Sequence, residues 1–109
     1  MIDTVRHLGD PSDLAQASQV LARTAEWSGF DAGDLVGPSR KAPLVWHRHL
    51  AIAAIRRSTE LSLTQIGAIF GGRDHTTIIH ALRRIDGAAK WRPEVEARLR
   101  LLSAGTSGE

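Results

Sequence analysis

No cysteine occurs in the 109 residues, so neither a disulfide framework nor a thiolate metal site is available. No apolar run approaches the roughly 18 residues that a membrane span needs, which excludes a bilayer-crossing helix. The first ten residues, MIDTVRHLGD, lack a basic segment followed by an apolar one, so nothing directs the chain to secretion and a cytoplasmic location is expected. Internal repeats and strand-like alternation of useful length are also missing. What is there, 42% apolar and 24% charged residues, fits a single soluble domain over residues 1–109 with one hydrophobic core.

Charge is unevenly placed. The net value of +2 is bland, but residues 1–34 carry two Arg against six acids, residues 35–92 carry ten Lys/Arg against three acids, and residues 93–109 come to −1. The middle of the chain therefore stands at +7. Concentrated Lys and Arg are the electrostatic footprint of a nucleic-acid binder, since cations facing phosphates gain affinity by releasing condensed counterions; a merely solvated basic face gives the same count.

The periodicity is helical throughout. Asp10 and Pro11 open a first helix whose stripe Leu14, Ala17, Leu21 and Ala25, with Val20 and Trp27 alongside, should be buried, and Gly29 closes it. GFDAGDLVGPSRKAP follows as a loop with one helical turn near Asp31–Leu35 and a basic end, about 36–42, carrying Arg40 and Lys41. A central helix over 42–58 has apolar residues nearly all round, which leaves Arg48, Arg56 and Arg57 a narrow exposed strip. Ser62 is placed to cap a short helix with Leu63, Ile66 and Phe70 inward. Gly71-Gly72 breaks it, and Asp74 or a neighbour caps another helix carrying Ile78, Leu82 and Ile85. Two short helices joined by a glycine turn over about 62–89 form a helix-turn-helix pattern. A last helix over about 92–103 packs Val95, Leu99 and Leu102, and the tail 104–109 is expected to fray. The class is all-α, with five or six helices.

Residues 71–82, GGRDHTTIIHAL, hold more polar and backbone-permissive residues than a helix cap requires. In a helix-turn-helix the start of the second helix enters the major groove. Arg73 then reaches phosphate, His75 and Thr76 touch base edges or thymine methyls, Asp74 accepts from a cytosine amino group, and Thr77 anchors to phosphate. The plainer alternative has Asp74 and Thr77 as cap residues and His75 solvated.

GGRDHTTIIHALRRI closely resembles the signature of the C-terminal DNA-binding domain, domain IV, of the bacterial replication initiator DnaA. The resemblance runs without a gap from Ser39-Arg40 to Arg84-Ile85 and more loosely from Leu14 to the end. It implies a compact Trp-repressor-like helical domain that reads the DnaA box in double-stranded DNA without a cofactor. It also implies roles by position: Arg40 in the minor groove, Arg48 at a groove, Asp74, His75 and Thr76 on bases, and Arg56, Arg73 and Thr77 at the backbone. Lys41 belongs to the same basic loop, and His49 stands where the family places a polar residue near DNA. Two departures matter. No G-x-x-x-x-G-K-[ST] phosphate loop is present, so neither ATPase activity nor origin opening is expected. The loop GPSRKAP is poorer in arginine than the family's, which should remove about two or three phosphate contacts and about 0.9 of salt slope for each.

Rival readings are weaker. His75 and His80 lie about 140° apart on a helix, and His47 and His49 are no better placed, so no metal site and no enzyme are expected. Trp27, Trp46 and Trp91 are scattered, as core or rim residues are. An adaptor that contacts the initiator or its regulators through the acidic first helix, with Asp13 and Glu26, is the other class, but such a protein has little need of GGRDHTT. The expected molecule is thus a monomeric, nucleoid-associated modulator of replication initiation or transcription that binds neither membrane nor small-molecule substrate.

Overall fold

Three prolines near helix starts and an alternation of apolar stripes with Gly- and Ser-containing breaks divide the chain into helices, and the computed structural model, which describes residues 8–105, contains no strand among them. The elements are α1 (Pro11–Ser28), α2 (Ala32–Val36), α3 (Ala42–Ser58), α4 (Leu63–Ile69), α5 (His75–Trp91) and α6 (Pro93–Leu102). Helix α3 is central and packs against all five others, which is why the run Ala51–Ile55 is buried without interruption. Around it Val20, Leu61, Ile66, Phe70, Ile78, Ile85 and Leu99 close one continuous core.

The helix ends follow local chemistry. Asp10 accepts from the Ser12 amide at 3.0 Å with Pro11 at the first turn of α1. Ser62 and Gln65 form a reciprocal capping box on α4, with Ser62 Oγ accepting from the Gln65 amide at 3.1 Å and Gln65 Oε1 from the Ser62 amide at 2.9 Å. Pro93 forces the break between α5 and α6.

Three details differ from the sequence-based expectation. The buried face of α1 consists of Gln16, Ala17, Val20 and Thr24 and leaves Trp27 40% exposed. Backbone carbonyls take the donors of the two polar residues: Gln16 Nε2 donates to Ala104 O at 3.0 Å and Thr24 Oγ1 to Val20 O at 2.8 Å, while Gln16 Oε1 is buried without a partner among the described residues. The chain past α6 does not fray at once, because Arg23 Nη1 donates to the carbonyls of Leu102 and Ala104 at 3.0 and 2.7 Å. The rest of the expected frayed tail, 106–109, and the N-terminal segment 1–7 lie outside the described residues. Finally, Arg48, Arg56 and Arg57 share no exposed strip. Arg48 is only 3% exposed, and Arg57 pairs with Glu96 of α6 through two contacts of 2.9 and 3.0 Å.

Candidate nucleic-acid interface

The turn between α4 and α5 is built on three glycines. Gly71 and Gly72 take left-handed φ values of 78° and 80°, which side chains with a Cβ rarely adopt. Their return brings the amides of Gly72 and Arg73 onto the carbonyl of Gly67 at 3.0 and 2.9 Å. Gly67 is the third: a Cβ there would collide with the carbonyl oxygen of Arg73. The sequence reading named only the glycine pair. An isolated glycine within a short helical pattern was the available signal, since it costs about 1 kcal/mol unless close packing requires it.

Beyond the turn, Asp74 occupies the N-cap of α5 in extended conformation, and His75, Thr76 and Thr77 form an exposed first turn. The Thr76 hydroxyl, and after it the neighbouring His75, holds the Asp74 carboxyl below its usual range, so it stands ready as an ionised acceptor. His75 Nδ1 lies 3.3 Å from Asp74 Oδ1. The amides of this helix start are taken up locally: those of His75 and Thr76 by the Asp74 carboxylate, and those of Thr77 and Ile78 by Asp74 O at 3.0 and 3.3 Å.

An open cleft of about 710 Å³ runs beside this turn, between the 36–40 loop and α3, and Arg40, Arg48, His49, Arg73 and Thr77 all line it. The cations in it are of two kinds. Arg40 and Lys41 are exposed, with no partner among the described residues. Arg48 and Arg73 are spent on the loop itself. Arg48 donates from Nε to Leu35 O at 2.5 Å, from Nη1 to Ser39 O at 2.8 Å and from Nη2 to Asp34 O at 3.1 Å. Arg73 donates to Val36 O at 3.2 Å, to Gly37 O at 2.7 Å and to Phe70 O at 2.6 Å. Burial depresses the pKa of both guanidiniums, and the proximity of Arg73 adds to the effect on Arg48, yet an arginine stays protonated in a protein.

His49 is affected more strongly. Burial first, then the charges of Arg84, Arg48 and Arg73, push its pKa down to about 4, so it is neutral at physiological pH. Arg84 Nη1 sits 3.2 Å from His49 Nδ1; a guanidinium only donates, so Nδ1 is the acceptor and the proton of the neutral ring is on Nε2. Arg84 also stacks over Trp46, 4.9 Å from the ring centroid. Sequence reasoning passed over Arg84, although it lies seven residues after Thr77 and so on the same face of α5.

Of the expected site residues, Arg40, Arg48, His49, Arg73 and Thr77 meet at the cleft, while Asp74 at the N-cap and His75 and Thr76 in the first turn of α5 precede Thr77 without lining it. Lys41 caps α3 next to Arg40. Arg56 lies outside the cleft, about 10 Å along α3 from His49 on the same face, with Nη1 donating to Leu61 O at 2.9 Å. The tryptophans are not a shared platform: Trp46 carries Arg84, Trp27 carries Arg98 at 4.1 Å, and Trp91 is 84% exposed by itself. Among the described residues no three His, Cys, Asp or Glu side chains cluster as a metal site would, and no helix is long and apolar enough to cross a membrane.

A capped short helix, a left-handed glycine turn and a second helix with an exposed polar first turn, set beside an unpaired basic loop, define a DNA-binding helix-turn-helix domain. The family model for the bacterial DnaA protein helix-turn-helix matches residues 17–85, and the chain belongs to that family. The chain is 48% identical over 67 residues to the chromosomal replication initiator protein DnaA of Cutibacterium acnes, a match that covers 62% of this chain and 13% of that protein. Against the protein of the same name from Thermus thermophilus it is 37% identical over 93 residues, 84% of this chain and 21% of the relative. Levilactobacillus brevis DnaA is 37% identical over 90 residues, or 83% and 20%. The chain thus spans about a fifth or less of the length of these relatives, and the matched part is the helix-turn-helix domain.

Proposed function

We propose that this chain binds duplex DNA with a preference for sites of the DnaA-box type and, as a reading domain without ATPase activity, modulates replication initiation or transcription at such sites. One observation carries the reading: Thr77 of the exposed first turn of α5 and the unpaired Arg40 line the same cleft, so a duplex seated on the turn brings its backbone to the basic loop. In this arrangement His75 and Thr76 read base edges, ionised Asp74 accepts from an amino group, and the Thr77 hydroxyl holds a phosphate. Arg40 enters the adjacent groove. His49 serves as a neutral Nε2–H donor rather than as a cation.

The unpaired cations are few, so about two to four phosphates are neutralised and log K falls against log salt with a slope of roughly −2 to −4. The test uses binding of His75→Ala and Thr76→Ala to a duplex with one DnaA-type box and to a scrambled duplex. Each variant should lose about 1–3 kcal/mol on the box and almost nothing on the scrambled sequence. Equal losses on both would reject base reading and leave only a backbone binder.

A further inference from the structure

The last turn of α2 and the loop that follows it, residues 34–39, turn five backbone carbonyls toward two guanidiniums. Arg48 takes those of Asp34, Leu35 and Ser39, and Arg73 those of Val36 and Gly37. The two arginines come from different elements, the central helix and the end of the glycine turn, and Arg73 ties the loop to that turn through Phe70 O as well. Three of Arg48's donors are thus committed to protein, and the side chain is 3% exposed. The two N–H groups that remain belong to a residue almost wholly enclosed, which leaves a phosphate little of Arg48 to reach. Arg40 follows directly after Ser39, one of the gripped residues, and its own side chain is free.

We propose that Arg48 and Arg73 are positioning residues: they clasp the loop carbonyls and hold Arg40 beside the reading helix before DNA arrives, instead of contacting the DNA themselves. This assigns the pair a role different from the groove and backbone contacts that the family resemblance implies. A loop already fixed loses little conformational entropy on binding, so the clasp raises affinity without adding a contact. Two mutually repelling cations are tolerated at close range because each is surrounded by carbonyl dipoles. The DNA-facing part rests on the function proposed above; the clasp itself is independent of it.

Limited trypsin digestion of the free protein reads the clasp directly, because Arg40 and Lys41 are themselves cleavage sites in the loop. Arg48→Met should cut there at least tenfold faster than the parent, with cleavage at helical sites unchanged. Arg48→Lys keeps the charge and most of the packing but lacks the planar fork, and should be almost as fast; it also covers the case in which Arg48→Met does not fold. On the box duplex, Arg48→Lys should lose most of what Arg40→Ala loses, and the double variant should lose no more than Arg40→Ala alone. The same variant combined with Thr76→Ala should give simple multiplication of the two losses. A direct phosphate contact predicts the opposite pattern: parental cleavage rates, substantial rescue by lysine, and losses that multiply with Arg40→Ala. Unchanged loop cleavage in both Arg48 variants overturns the clasp. If the parent chain binds no duplex, the proposed function fails while the cleavage rates still decide the clasp.

Discussion

Alanine at position 67 should destabilise the protein, although glycine-to-alanine changes inside helices ordinarily do the reverse. Gly67 lies in α4, and its Cα faces the returning turn so closely that an added Cβ collides with the carbonyl oxygen of Arg73, a backbone atom that cannot swing away. Overpacking of this kind costs about 1–3 kcal/mol. Moving the turn to relieve it strains the two hydrogen bonds from Gly72 and Arg73 to Gly67 O, about 1 kcal/mol each. Helix propensity returns about 1 kcal/mol. The net loss is about 2–4 kcal/mol, which for a domain of this size lowers Tm by roughly 10–30 °C. Gly87 provides the opposite sign within the same molecule. It also lies in a helix, α5, but its added Cβ meets nothing within 4 Å, so Gly87→Ala should stabilise by about 0.5–1 kcal/mol and raise Tm by a few degrees. Thermal unfolding of the two variants by circular dichroism decides the matter. An unchanged or raised Tm for Gly67→Ala would refute the close approach on which the turn geometry rests.

Further consequences follow from the cleft. His49 has a folded-state pKa near 4 against 6.5 for the free side chain, so folding expels a proton: stability is full above about pH 6.5, declines as pH falls, and levels off near pH 4. The shift corresponds to at most about 3 kcal/mol, and screening of a half-buried ring reduces it to about 1–2 kcal/mol. Urea unfolding at pH 7.5 and 4.5 should show this difference, and His49→Gln should show less of it; identical pH dependence in the two would contradict the assignment. Arg84→Ala removes both the charge beside His49 and the nearer of the two cations over Trp46. The His49 pKa, followed by NMR, should rise from about 4 toward 6.5, and the Trp46 emission should change; a static pKa would mean that Arg84 contributes nothing to the depression.

Helix placement was legible because apolar spacing and end signals agreed. The central helix lies over 42–58, as its apolar run and Pro43 imply, and α5 extends to Trp91 because Gly87 is followed by good helix formers and nothing stops the helix before Pro93. The buried face of α1 was misjudged because periodicity treats Gln16 and Thr24 as outward, whereas carbonyls from the chain end and from the previous turn make them compatible with the interior. The polar first turn of α5 stood out by composition. Arg48 did not declare itself, since a basic residue on a nearly encircled helix reads as a solvated cation unless the carbonyls facing it are known. Those carbonyls belong to the end of α2 and the loop after it, 9 to 14 residues away in sequence, and no local pattern relates them to Arg48. Gly67 was concealed for a related reason: its necessity comes from Arg73, a neighbour only in the folded turn.

The central claim, that α5 reads sequence while the loop grips the backbone, is tested most directly by titrating the protein against a duplex with one DnaA-type box and a scrambled duplex at two salt concentrations. The account predicts a preference for the box of at least tenfold that survives the higher salt, with both affinities falling along slopes of roughly −2 to −4. Equal, steeply salt-dependent binding to the two duplexes, or no binding to either, would contradict it.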